Sequence, residues 1–284
     1  MILYDCHMHS SYSGDSDTPP VGQIEEAIRL GLKGICFTDH MDLEFPCPDR
    51  AGTDFEFDIE QYVRELSELR DRYADRLDIL IGMEAGIRNE QGLTSKLNPR
   101  YTELADKYDL DFVIGSTHCL EYTDPYYPDY WKDKDAHTGI RTYFEAVLSN
   151  VRSYDCFDAS GHFDYLVRYV PPMADWQGIA DYRPSEFADI IDEYLRTLIE
   201  RGIALEYNTA GIKYGLGFAH PHDYVLTRYR ELGGELLTIG SDGHRPEHIA
   251  YAFKSAGEHL ASLGYRYYTV YRARKPEFLA LDMT

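Results

Sequence analysis

Two histidines, His7 and His9, sit in Asp5-Cys6-His7-Met8-His9-Ser10, directly after the apolar run Ile2-Leu3-Tyr4. On a β-strand, side chains two apart point to the same side, so both imidazoles can reach one cation. Asp5 is placed to orient one of the rings. Alone, this spacing is weak evidence, because it recurs in His220-Pro221-His222. Its weight comes from repetition. Residues 34–38 lead into Asp39-His40, 79–83 into Glu84, 112–117 into His118, Ser160-Gly161 into His162, 203–207 into Asn208, and 237–241 into Asp242-Gly243-His244. Imidazole and carboxylate are ligands of first-row divalent metals. A lone histidine at a strand end is ordinarily a hydrogen-bonded structural residue, and a lone buried carboxylate is costly unless paired or metal-bound. Strand ends that repeatedly finish in such residues offer more donors than one tetrahedral site takes, which implies a cluster of two or three cations.

For these ends to converge, the strands must be parallel and closed into a ring. Strand candidates fall at 2–7, 34–38, 78–83, 111–116, 156–161, 203–207, 236–240 and 265–271, and the first seven are each followed by a helical pattern. The clearest helix is 184–201, where Phe187, Ile190, Ile191, Tyr194, Leu195 and Leu198 recur at helical spacing between Pro184 and Gly202. The first helix is expected to be capped at Thr18-Pro19, to turn Val21, Ile24 and Ile28 inward, and to stop at Gly31. Such alternation predicts an α/β barrel spanning 1–284 as a single domain. Helix-to-strand connections are short, whereas 41–57, 119–137, 163–183 and 208–222 are long strand-to-helix connections. In a parallel barrel the long ones emerge together, at the face where active sites lie.

Composition narrows the partners. Hydrophobic residues make up 44% of the 284-residue chain, enough for a sizeable core. The formal net charge of −21 argues against a nucleic-acid surface, which needs a basic patch, but leaves room for a small anionic substrate where metals or a few arginines reverse the field. No membrane span and no signal peptide is legible. The five cysteines, Cys6, Cys36, Cys47, Cys119 and Cys156, form no CxxC pair and suit a reducing cytoplasm. Oligomeric state is not legible.

Taken together, His7-x-His9, Thr38-Asp39-His40, Gly82-Met83-Glu84, Ser116-Thr117-His118, Gly161-His162-Phe163-Asp164 and Gly240-Ser241-Asp242-Gly243-His244 resemble the polymerase and histidinol phosphatase (PHP) superfamily. The stretches 161–169 and Glu206-Tyr207-Asn208-Thr209-Ala210-Gly211 are similar to its histidinol-phosphatase branch. The resemblance implies a distorted seven-stranded (β/α) barrel and three metal positions. One would use His7, His9, Glu84 and Asp242; a second would share Glu84 and add His118 and His162; the third would use Asp15, His40 and His244. Zinc, iron and manganese all suit these donors. The implied reaction is hydrolysis of L-histidinol phosphate to L-histidinol and phosphate, in histidine biosynthesis. Metals would clamp phosphate oxygens and activate water. Arg168 would hold the phosphate with its forked donors. Asp242 or His244 would protonate the leaving oxygen.

The aromatic and acidic loop 119–137 could close over a cationic substrate end. His220 and His222 read as hydrogen-bonded loop residues, His137, His248 and His259 as bystanders (the last two on the helix after strand seven), and 265–284 as a strand with a frayed end. The alternative substrates are a nucleotide or a sugar phosphate. A nuclease would need a basic, aromatic-rich strand-binding stretch, which this sequence does not have. An amidohydrolase also opens with His-x-His but commonly places a lysine after strand four, where this chain reads Gly-Ser-Thr-His118. A metal-storage protein would need neither Arg168 nor long mouth loops.

Overall fold

Buried along their whole length rather than on alternate residues, the short apolar runs make strands of a parallel sheet covered on both faces. A computed structural model describes residues 1–46, 55–88, 92–120 and 122–281; Cys47 and, within the loop 119–137, Glu121 lie outside the described residues. In chain order the elements are β1 (Tyr4–Met8), α1 (Pro20–Leu30), β2 (Gly34–Phe37), β3 (His40–Met41), α2 (Ile59–Tyr73), β4 (Asp78–Gly86), α3 (Thr94–Lys107), β5 (Phe112–Ser116), α4 (Ala136–Ser153) and β6 (Ala159–Ser160). They continue with α5 (Ala188–Arg201), β7 (Ala204–Asn208), α6 (Ala210–Lys213), α7 (Asp223–Glu231), β8 (Leu237–Gly240), α8 (Phe253–Ser262), β9 (Tyr267–Arg272) and β10 (Lys275–Ala280).

Seven strands follow one another around a parallel barrel in the order β1-β2-β4-β5-β6-β7-β8. The ring is nearly closed where Met8 bridges Gly243 and the Asp242 amide donates to the His7 carbonyl at 2.8 Å. This is the distorted (β/α)7 barrel, and the distortion has a location. The nine-residue β4 pairs with β2 through 78–81 and with β5 through 82–86, while the two-residue β3 sets His40 opposite Glu84. Gly86 permits that crowding: a β-carbon there would overlap the Asp42 carboxylate, 1.4 Å from its Oδ1.

Local expectations need three corrections. First, α1 starts at Pro20, its N-cap Pro19 gives no side-chain cap, and the Thr18 hydroxyl instead donates to the His244 carbonyl. The buried face is therefore Pro20, Gln23, Ile24 and Ala27, which turns Val21 out to 39% exposure. Second, 184–187 is a 3-10 turn that leads into α5; Ile190, Ile191, Tyr194, Leu195 and Leu198 are buried as the spacing requires. Third, the expected final strand is present but is followed by a second one, and residues 282–284 lie outside the described residues. β9 and β10 pair antiparallel in a separate hairpin that closes the barrel floor. There the Tyr268 hydroxyl accepts from the Leu3 amide, Thr269 Oγ1 accepts from the Leu237 amide, and Arg272 and Arg274 pair with Asp78 and Asp158 at the strand starts. Among the described residues, no helix is long and apolar enough to cross a membrane.

Asp5 contributes to closure rather than to a ring. Its fully buried carboxylate accepts from the Ser241 amide (2.9 Å), the Ser241 hydroxyl (2.6 Å), the Ala250 amide (2.8 Å) and the His7 amide (3.4 Å), tying β1 to the loop after β8. Asp5→Ala leaves those donors buried without an acceptor. The expected cost is about 3 kcal/mol, read as a lower denaturant midpoint, with Asp5→Asn losing less.

Candidate active site

At the C-terminal ends of the strands the side chains of His7, His9, Asp15, His40, Glu84, His118, His162, Asp242 and His244 converge. Glu84 is the centre. Its carboxylate is fully buried; Oε1 accepts from the Ser116 hydroxyl at 2.6 Å and lies 3.2 Å from His118 Nε2 and 3.0 Å from His162 Nε2. Its other oxygen, Oε2, lies 3.4 Å from His7 Nε2, 3.6 Å from His9 Nε2 and 3.0 Å from His40 Nδ1. Asp242 Oδ1 is 3.4 Å from both His9 Nε2 and His244 Nδ1, and 4.0 Å from His7 Nε2. Asp15 Oδ2 stands between His244 Nε2 (3.3 Å) and His40 Nε2 (3.8 Å).

The donor set fits metal ions better than hydrogen bonds alone. His7 Nε2 and His9 Nε2 face each other at 3.1 Å. Glu84 Oε2 and His40 Nδ1 are buried without a hydrogen-bond partner, although they lie side by side. Four groups have ligand atoms close enough to hold an ion: His7-His9-Glu84, His40-Glu84-His118, His7-His162-Asp242 and His9-His40-His244. They share members, as expected of a cluster rather than separate sites.

Around the donors runs a layer of fixed partners. Glu206, from β7, takes His7 Nδ1 at 2.5 Å and the His162 amide at 2.6 Å. Asp42 takes His118 Nδ1 at 2.8 Å. Asp39 accepts from Ser13 Oγ at 2.7 Å, and that hydroxyl stands 3.0 Å from His9 Nδ1. Each contact turns the other ring nitrogen toward the cluster. Gly240 lets the β1 backbone approach at His7, since a β-carbon there would come within 2.2 Å of His7 Cβ.

The charge balance follows. Burial would raise the Glu84 carboxyl, but His7, His118 and His40 outweigh it and hold the group well below the usual carboxylate range. Asp242 is held down in the same way, chiefly by His7. Burial would raise Asp42 as well, yet His118 and His40 bring it to about 2. Burial alone would lower His118, and Asp42 with Glu84 raise it to about 10. His9 is driven well down by burial and by neighbouring His244 and His40.

Arg168, on the 3-10 turn Tyr165–Tyr169, lines the cavity above the cluster together with Asp15, His40, His118, His162, Asp242 and His244.

A PHP domain model matches residues 5–210. The chain belongs to the PHP domain family. A Clostridium acetobutylicum relative named "probable histidinol-phosphatase" is 33% identical over 260 residues, 90% of this chain and 91% of its own. A Lactococcus lactis histidinol-phosphatase is 32% identical over 86% of this chain and 85% of its own. The solved structure of histidinol phosphate phosphatase from Lactococcus lactis, complexed with zinc, L-histidinol and phosphate, superposes with a TM-score of 0.83 at 29% identity, covering 97% of this chain and 98% of that one.

The roles of two residues in this PHP site escaped sequence reasoning. Glu206 had a signal, a carboxylate inside the otherwise apolar strand Ala204-Leu205-Glu206-Tyr207. Asp42 follows His40 by two residues and so shares its side, but nothing in sequence pairs it with His118. His248 was misplaced: it sits in the turn Pro246–His248, before α8, and lines the cavity. His259 pairs with Asp223 on the outside, and His137 stacks on Phe187. His220 Nδ1 bonds Asp164 at 2.8 Å and His222 caps α7, both loop roles. The loop 119–137 divides its work: Asp124 and Tyr126 line the cavity, whereas Tyr130 and Trp131 are buried in the core.

Proposed function

We propose that this PHP-family chain is a metal-dependent phosphatase that hydrolyses L-histidinol phosphate to L-histidinol and phosphate in histidine biosynthesis, with 1–284 acting as one catalytic domain. The observation that carries the reading is a buried Glu84 ringed by five imidazoles beneath a cavity walled by Arg168. Zinc bound in the Lactococcus relative supports zinc here, and two or three ions fit the overlapping donor groups; iron or manganese would use the same ligands. His7, His9, Glu84 and Asp242 are assigned to one ion, Glu84 with His118 and His162 to a second, and Asp15, His40 and His244 to a third.

Bound ions would supply Lewis-acid charge at the phosphate oxygens and lower the pKa of water. Arg168 binds the phosphate and fixes its orientation, Glu206 and Asp42 hold the rings of His7 and His118 in register, and the buried cluster excludes bulk solvent. The leaving-group proton comes through Asp242 or His244, both of which line the cavity. On the cavity wall, Asp124 and Tyr126 offer charge and an aromatic ring to the cationic amino alcohol. The net charge of −21 favours this small substrate over nucleic acid, and among the described residues Cys6, Cys36 and Cys156 are buried thiols outside any disulfide, which fits the cytoplasm.

Phosphate release from a panel of esters, measured on metal-reconstituted protein, tests this. The kcat/KM for histidinol phosphate should exceed that for nucleotide and sugar phosphates by roughly 100-fold or more. Weak, even activity would point to another ester, and no release with metal bound would overturn the phosphatase reading.

A further inference from the structure

In a chain with 49 acidic residues, arginines generally find carboxylates: Arg228 pairs with Asp192, Arg141 with Asp189, Arg274 with Asp158. Arg168 does not. Among the described residues no carboxylate forms an ion pair with it, and its Nε is buried without a hydrogen-bond partner. What it meets instead is aromatic. Its Cζ lies over the Tyr214 ring at 4.3 Å and over the Tyr169 ring at 4.5 Å, with Tyr165 further off at 5.5 Å. The two nearer rings come from different loops, Tyr169 ending the turn after β6 and Tyr214 following α6 after β7. Both line the cavity, and Tyr214 is 54% exposed there although it is a large aromatic.

We infer that Tyr169 and Tyr214 are positioning residues that hold the Arg168 guanidinium for the substrate phosphate; the inference rests on Arg168 being the phosphate-holding residue. A carboxylate would fix an arginine as firmly, but it would occupy the in-plane N–H donors and cancel the charge. A ring face holds the cation through its quadrupole, and the Tyr169 and Tyr214 hydroxyls beside the guanidinium are neutral partners that leave its charge uncancelled for an anion. The Tyr214 ring centroid also lies 5.0 Å from Lys213 Nζ, which donates to the Asp242 carbonyl, so a second cation touches the same ring. Tyr169 is itself braced by edge contacts to Tyr126 at 5.2 Å and Tyr165 at 5.8 Å.

The test compares Y214L, Y169L, Y214F and Y169F with R168A in metal-loaded enzyme, reading kcat, KM, competitive inhibition by inorganic phosphate and metal content. Each leucine variant should raise KM and the phosphate inhibition constant roughly 5- to 30-fold, with metal content unchanged and kcat less affected. The phenylalanine variants should retain phosphate binding, and Y214L should add nothing in the R168A background. Leucine variants that bind phosphate like the parent while R168A does not would overturn the positioning role alone. Phenylalanine variants as impaired as leucine would overturn it too, because the hydroxyl and not the ring face would then be acting. An unaffected R168A would remove the phosphate role of Arg168 itself, and the inference with it. Tyr214 is exposed, so its variants fold even if those at Tyr169 do not.

Discussion

Glu84→Gln is expected to lower kcat/KM roughly 1,000-fold and to strip metal from the protein while leaving the barrel folded. The substitution preserves shape and keeps an acceptor for the Ser116 hydroxyl, so packing changes little. What changes is charge. Glu84 is the common neighbour of His7, His9, His40, His118 and His162, and an amide offers them one neutral oxygen and one competing donor. Far-ultraviolet circular dichroism and metal analysis on the same sample separate loss of ligand from loss of fold. Full metal occupancy with normal turnover in the folded variant would show that Glu84 is not a ligand.

Exhaustive chelation should abolish turnover, and adding zinc back should restore it. Titrating zinc into the chelated protein should also release protons. In the metal-free site His118 is raised to about 10 by Asp42 and Glu84 against its burial, and His7 and His40 are likewise raised well above the usual imidazole range by their carboxylate neighbours. These rings are therefore protonated at pH 7, and a ligand nitrogen must lose its proton to bind. The sign follows: metal affinity rises with pH across the neutral range, and lowering the pH favours the metal-free form. Calorimetric titration in buffers of different ionisation enthalpy measures the proton count. A heat independent of buffer would show that these rings bind metal without losing protons, and activity undiminished after verified metal removal would sink the cluster mechanism.

Much of this was legible in the chain itself. A parallel barrel makes successive apolar runs end on one face, so a residue's place just after a run is enough to put it at the mouth. That is why His7, His9, Glu84, His118, His162, Asp242 and His244 could be picked from linear order. Asp15 is different. It lies in the turn-like Ser13-Gly14-Asp15-Ser16, and only resemblance singled it out before the structure set it between His40 and His244.

Tertiary structure alone decided contacts that cross between loops or strands. Asp42 finds His118 because β3 lies against β4, and Glu206 reaches His7 across the ring, 199 residues away in sequence. Alternation predicts Asp5 on the same side as His7, yet it braces Ser241 instead, because the loop after β8 brings the Ser241 amide and hydroxyl and the Ala250 amide to its carboxylate. The same alternation lets sequence propose which donors share a face and prevents it from naming their partners. Periodicity is a property of one segment, whereas a hydrogen bond between segments depends on register and closure. The C-terminal hairpin makes the point at the other end of the barrel. Its alternating residues spell a strand, but only the packed ring shows that it covers the floor, where the starts of β1, β4, β5, β6 and β8 present the donors and carboxylates it binds.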